Sequence, residues 1–164
     1  MDDAVIIFFA TFLIWILYAG LIILWFIDGK IKKEQVIHAL VAGLIAWVIA
    51  FLIKKAFPSL RPFMINGRDV DVLFRPTDAA FPSEHTVLAF SLAVTIFLHD
   101  KKVGLWYLFG ALLIGVFRVF ANVHYPIDII GGALIGTLVA VITERIHMFS
   151  LLQKGRIRFS KRRG

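Results

Sequence analysis

The sequence predicts an all-α integral membrane protein, a bundle of five, at most six, transmembrane helices with an outward-facing site. Three observations predict it. The 164 residues are 60% hydrophobic and their mean hydropathy is +0.86, too apolar for an ordinary soluble domain. The apolar residues fall into long runs almost free of charge. The 18 Lys and Arg divide unequally between the two sides that those runs define.

The first run, Ala4 to Ile27, carries no charge and exceeds the ~20 residues that cross a hydrocarbon core. It opens on Met1-Asp2-Asp3 instead of a basic segment and lacks a small-residue cleavage site, so it reads as a retained helix. Val36 to Ile53 is the second span. Thr86 to Leu98 is short and reaches a useful length only if Pro82 to His85 form its first turn. Val103 to Phe120 is the fourth span and Ile127 to about Ile146 the fifth. Between the second and third lies Ala56 to Pro82, with four Pro, Gly67, Asp69, Asp71 and Asp78. It reads as an ordered loop bordering the site, with a surface helix around Val70 to Phe74. No room remains for a second module, so residues 1–164 are expected to be one membrane-embedded domain with a basic tail from about residue 148.

Five spans put the termini on opposite sides. Lys30, Lys32, Lys33, Lys101, Lys102, Arg145 and six cations of the tail share one side, twelve in all. Lys54, Lys55, Arg61, Arg68, Arg75 and Arg118 make six on the other. The positive-inside rule makes the first side cytoplasmic and expects the N-terminus and the second side outside. The net charge of +7 therefore points to topology and to anionic lipid headgroups as partners, not to nucleic acid. Cysteine is absent, which excludes disulfides and thiolate metal sites.

Several residues have ordinary readings. Trp15, Trp25, Trp47 and Trp106 suit aromatic belts and lipid-facing packing. Gly132 and Gly136 form a GxxxG pair for close helix contact. His38, His99 and His147 have no polar neighbours at motif spacing and read as interfacial or packing residues.

Three polar clusters remain: KKAFPSLRP (54–62), FPSEH (81–85) and RVFANVHYPID (118–128). Ionisable residues are costly beside a membrane and default to function. Asp128, four residues after His124, can hold one imidazole nitrogen and leave the other a lone pair, suiting His124 as nucleophile, base or metal ligand. Ser83 stands where a helix would start, able to cap it and to donate to an anion. His85 offers a second imidazole to protonate a leaving oxygen. Lys54, Arg61 and Arg118 can surround a phosphoryl group.

Lys54-x6-Arg61-Pro62, Pro82-Ser83-x-His85 and Arg118-x5-His124-x3-Asp128 together resemble the signature of the type 2 phosphatidic acid phosphatase superfamily of membrane lipid phosphatases. The resemblance implies an α-helical bundle and attack of His124 on phosphorus to give a phosphohistidine, supported by Asp128. It implies that His85 protonates the leaving group and then activates water. Lys54, Arg61, Ser83 and Arg118 would hold the phosphate, with no metal or other cofactor. The family usually has Gly where this chain has Glu84, often has Ser where it has Phe117, and commonly has six helices. An acidic residue in that Gly position, with RPF and AFPSEH around it, is similar to the bacterial undecaprenyl-diphosphate phosphatase branch. This implies a membrane lipid diphosphate as substrate, with Glu84 tuning its recognition or simply resting as a solvated first-turn carboxylate.

Other readings within and beyond this chemistry are a phosphatase for phosphatidylglycerophosphate, phosphatidic acid or a lipid A phosphate, a metal hydrolase using His85, His124 and Asp128, and a silent lipid-binding scaffold. The cations beside those three residues argue against a divalent ion there.

Overall fold

The computed structural model describes residues 2–27, 33–69 and 71–160, with side chains up to residue 146. Lys30, Lys32, Val70 and the side chains of the tail, His147 included, lie outside the described residues. All regular structure among the described residues is helical. Helix α1 spans Asp3–Phe26, with a π turn at Phe8–Phe12. It is followed by α2 (Lys33–Ala56), α3 (Pro62–Asn66), α4 (Glu84–His99), α5 (Lys101–Phe120) and α6 (Pro126–Ser160). Four of these are long and apolar enough to cross a membrane: α1, α2, α5 and the Pro126–Ile146 part of α6.

Helix α4 is the exception. Its 16 residues rise only about 24 Å, short of a hydrocarbon core of about 30 Å. Sheathing explains how it persists. It packs against α2, α5 and α6, burying Thr86, Val87, Ala89, Ser91, Leu92, Ala93, Thr95 and Ile96. A helix enclosed by protein need not match the lipid. Leu92 and Ile96 join Leu17, Leu21, Tyr107 and Ile114 in the main apolar core, while Trp15, Phe26 and Trp106 stay exposed on the outside of the bundle.

Small residues set how closely the hub is gripped. A Cβ on Gly136 would stand 2.4 Å from the Val87 carbonyl oxygen, and one on Gly132 would stand 2.9 Å from that of Ser83. The GxxxG pair therefore seats α6 on the backbone of α4. Asp100 makes the turn into α5 by accepting from the amides of Lys102 (2.9 Å) and Val103 (3.1 Å), a side-chain N-cap.

Two expectations need correction. Residues 71–74 are not helical; the surface helix of this segment is α3. Pro62 at its first turn and Gly67 at φ 66° just beyond its end are the Pro-start and Gly-stop signals that place it. His38 and His99 are not isolated packing residues. At the end of the bundle away from the three clusters, His38 Nδ1 and His99 Nε2 lie 3.6 and 3.2 Å from the same oxygen, Glu144 Oε2. Residues distant along the chain converge there, which motif spacing does not register.

Candidate active site

The loop between α2 and α4 carries the cations inward. Lys54, in the last turn of α2, is buried. Its ammonium contacts Asp78 Oδ2 at 2.7 Å and donates to the carbonyl of Ala79. Arg61, only 2% exposed, uses its whole guanidinium. Nε donates to the Asp78 carbonyl (2.9 Å), Nη2 to Asp78 Oδ1 (2.7 Å), and Nη1 to the Val123 carbonyl (2.9 Å). Nη1 also lies 3.3 Å from His124 Nε2.

That last contact assigns the tautomer. A guanidinium has donors and no acceptor, so Nε2 must present its lone pair and Nδ1 must carry the proton. Nδ1 lies 3.3 Å from Asp128 Oδ2, and the same oxygen accepts from the Tyr125 amide at 2.8 Å. Pro126 begins α6, so Asp128 sits in the helix's first turn and reaches back over the turn holding His124. Burial, then the charges of Arg118, Arg61 and Lys54, hold the His124 imidazole well below its ordinary pKa near 6.5, keeping it neutral at pH 7. Partial burial pushes the Asp78 carboxyl up, but its hydrogen bonds and ion pairs with Lys54 and Arg61 prevail and leave it below the usual aspartate value.

Ser83 precedes α4 and is fully buried. Its amide donates to the Asp128 carbonyl at 3.1 Å, which fixes the start of α4 beside the His124–Asp128 pair. The expected side-chain cap does not form. Ser83 Oγ instead accepts from Thr86 Oγ1 at 3.0 Å, leaving the serine proton for another acceptor. His85 and Glu84, in the first turn of α4, line a cavity of about 210 Å³ with Ile14, Trp15, Tyr18, Trp47 and Leu88. It is apolar apart from those two residues and the Tyr18 hydroxyl.

Arg118 is buried at the end of α5, with Nη1 donating to the Ala10 carbonyl at 3.3 Å. Ala10 belongs to the π turn of α1, an element common at functional sites because it disturbs the regular ladder of helical bonds.

The structure thus links Arg61, His124 and Asp128 by direct contact, joins Lys54 to Arg61 through the shared Asp78 carboxylate, ties Ser83 in through the backbone, and brings Arg118 within electrostatic reach of His124. Sequence reasoning missed Asp78 as the shared counter-ion of Lys54 and Arg61; its place among loop acids gave no signal. It also missed Asn122, whose side chain pairs with Asn66 and donates to the carbonyls of Arg68 (3.1 Å) and Asp69 (3.3 Å). Asn122 has φ 60°, a conformation asparagine tolerates well, and an Asn two residues before a motif His could have prompted that reading.

A buried neutral histidine backed by a carboxylate and faced by three cations can serve as a nucleophile toward a phosphoryl group. Similarity to known proteins gives the family. Residues 35–151 match the PAP2 superfamily. The chain is 32% identical over 141 residues to the bacitracin transport permease protein BcrC of Bacillus licheniformis, covering 86% of this chain and 70% of that protein. It is 26% identical over 143 residues to the undecaprenyl-diphosphatase BcrC of Bacillus subtilis, covering 87% and 74%. The fold is similar to that of Aquifex aeolicus LpxE, with a TM-score of 0.73, 31% identity and coverage of 87% and 85%. Sequence and helical frame thus agree, and the chain belongs to the PAP2 superfamily as a multi-pass membrane protein of the lipid-phosphatase class.

Proposed function

We propose that the protein hydrolyses undecaprenyl diphosphate to undecaprenyl phosphate and inorganic phosphate through a phosphohistidine on His124. The observation that carries this reading is the Arg61 contact, which leaves the lone pair on His124 Nε2 at the point where the cations gather. The terminal phosphoryl group takes the place of the Asp78 carboxylate at Lys54 and Arg61 and is held by Ser83 and Arg118 as well. Nε2 then attacks phosphorus as the bridging P–O bond breaks, and His85, which takes up a proton from solvent when the anionic diphosphate binds beside it, gives that proton to the departing lipid phosphate. Asp128 keeps the Nδ1 proton in place as positive charge develops on the ring. Water, deprotonated by His85, then cleaves the P–N bond and releases phosphate. Every step uses side chains of this chain, without a metal at the reacting phosphate.

The apolar cavity beside His85 supports a lipid substrate, since it offers a greasy wall next to the leaving group. The names of the curated relatives favour the undecaprenyl diphosphate tail and headgroup. Phosphatidylglycerophosphate, phosphatidic acid or a lipid A phosphate would undergo the same chemistry. Release of phosphate from each lipid in detergent tests the choice, and a strong preference for a monophosphate would overturn the diphosphate assignment. For mechanism, His124→Ala should lower turnover by at least about 10³-fold. Acid-labile radiolabel from terminally labelled substrate should be trapped on the wild type alone. Label retained by His124→Ala would refute the phosphohistidine.

A further inference from the structure

At the far end of the bundle from the phosphate site, three helices bring together side chains that the reaction does not use. His38 lies near the start of α2, His99 is the last residue of α4, and Glu144 is on α6. Glu144 is only 9% exposed, and a carboxylate so enclosed is costly unless a cation or several donors compensate it. One donor atom from each residue lies within 4.8 Å of the other two. His99 Nε2 and Glu144 Oε2, although 3.2 Å apart, have no hydrogen-bond partner among the described residues. They approach closely without the alignment of a donor and an acceptor, which is how lone pairs converging on a common centre are arranged.

We infer that His38, His99 and Glu144 form a binding site for a divalent transition-metal ion of the zinc class. Two imidazoles and one carboxylate are a zinc-type donor set, with the fourth position left to water. Zinc bonds of about 2.0–2.2 Å in a tetrahedron separate neighbouring ligand atoms by roughly 3.3–3.6 Å. The two contacts at Glu144 Oε2, 3.2 and 3.6 Å, fall close to that separation, so binding requires only a small adjustment. Calcium or magnesium would prefer an all-oxygen shell.

The placement suggests what the ion does. His38 precedes Lys54 by about 24 Å along α2, His85 precedes His99 by about 21 Å along α4, and Asp128 precedes Glu144 by about 24 Å along α6. An ion at one end thus ties together the three helices whose other ends carry Lys54, His85 and Asp128. The site is a clamp on the frame, separate from the chemistry at phosphorus.

The full-length protein, purified in detergent and stripped with a chelator, is titrated with zinc chloride. Bound metal is counted by mass spectrometry and unfolding is followed by temperature. One zinc per chain and a higher unfolding temperature are expected, with X-ray absorption showing nitrogen and oxygen ligands near 2.0–2.1 Å. E144Q and H99Q should each weaken binding by about 100-fold or more and remove the thermal shift, whereas H124A should bind zinc as the wild type does. If E144Q does not fold, H99Q and H38Q, at partly exposed positions, give the same reading. Wild type holding no more zinc than H99Q, or zinc lost in H124A and kept in E144Q, overturns the site. Chelation is also applied during turnover. Activity that falls in wild type and not in E144Q places the metal's influence at this end, while an equal fall in both points to the phosphate site.

Discussion

In the proposed mechanism His124 carries the attack on phosphorus, and its surroundings decide both its proton and its pH response. Its pKa is depressed by burial and by Arg118, Arg61 and Lys54, so the acidic limb of the rate set by this residue should lie well below pH 6.5. Stability follows the same sign. Between the two pKa values the unfolded chain binds a proton that the folded chain refuses, so stability falls as pH drops below about 6.5. Thermal unfolding from pH 7.5 to 5 should therefore show an acid sensitivity that His124→Gln reduces; equal profiles would remove His124 as its source. Asp78 presents the opposite balance. Its carboxylate occupies the cations of the proposed phosphate site, and its ion pairs persist above its lowered pKa and fade as pH falls through it. Asp78→Asn should tighten inhibition by inorganic phosphate by about 3- to 10-fold, the scale of a partly exposed ion pair. Weaker inhibition would instead make Asp78 a positioning residue for Lys54 and Arg61.

At the scale of the helices, α4 is the part on which the others depend. It is too short to cross a bilayer alone, and close backbone contact with α6 holds it in place. Gly136→Ala should cost about 1–3 kcal/mol, because the new methyl would meet the Val87 carbonyl at 2.4 Å and that backbone cannot swing aside. Gly43→Ala is the contrasting case. Its Cβ would meet only side chains at 3.7–3.9 Å, so the change should be neutral or add up to about 1 kcal/mol through helix propensity. Thermal unfolding in one detergent compares the two, and similar losses would contradict the packing account. The hairpin between α5 and α6 shows a related dependence. Asn122 fastens it to the α3 loop, so Arg61 and His124 meet because two segments remote in sequence are bound together.

For the whole molecule, the charge asymmetry predicts an outward site and a cytoplasmic tail. The absence of cysteine makes this simple to test with single-cysteine variants in intact cells. Thr77→Cys, on the exposed loop by Lys54, should react with a membrane-impermeant maleimide added outside. Lys102→Cys, exposed at the opposite end, should react only after permeabilisation. The reverse pattern would invert the proposed orientation.

The spans were legible in the sequence because a bilayer demands long uncharged runs; α1, α2 and α5 follow the predicted boundaries closely, and α6 begins where predicted but continues well past Ile146. Lys54, Arg61, Ser83, His85, Arg118, His124 and Asp128 stood out because polar and ionisable groups at the edges of apolar runs are costly and these fall at fixed spacings. Other features belonged to the tertiary structure alone. Asp78 paired with two cations, Arg118 found the Ala10 carbonyl, and His38, His99 and Glu144 converged at the far end. Each joins residues distant along the chain, and local periodicity carries no record of which distant groups packing will bring together.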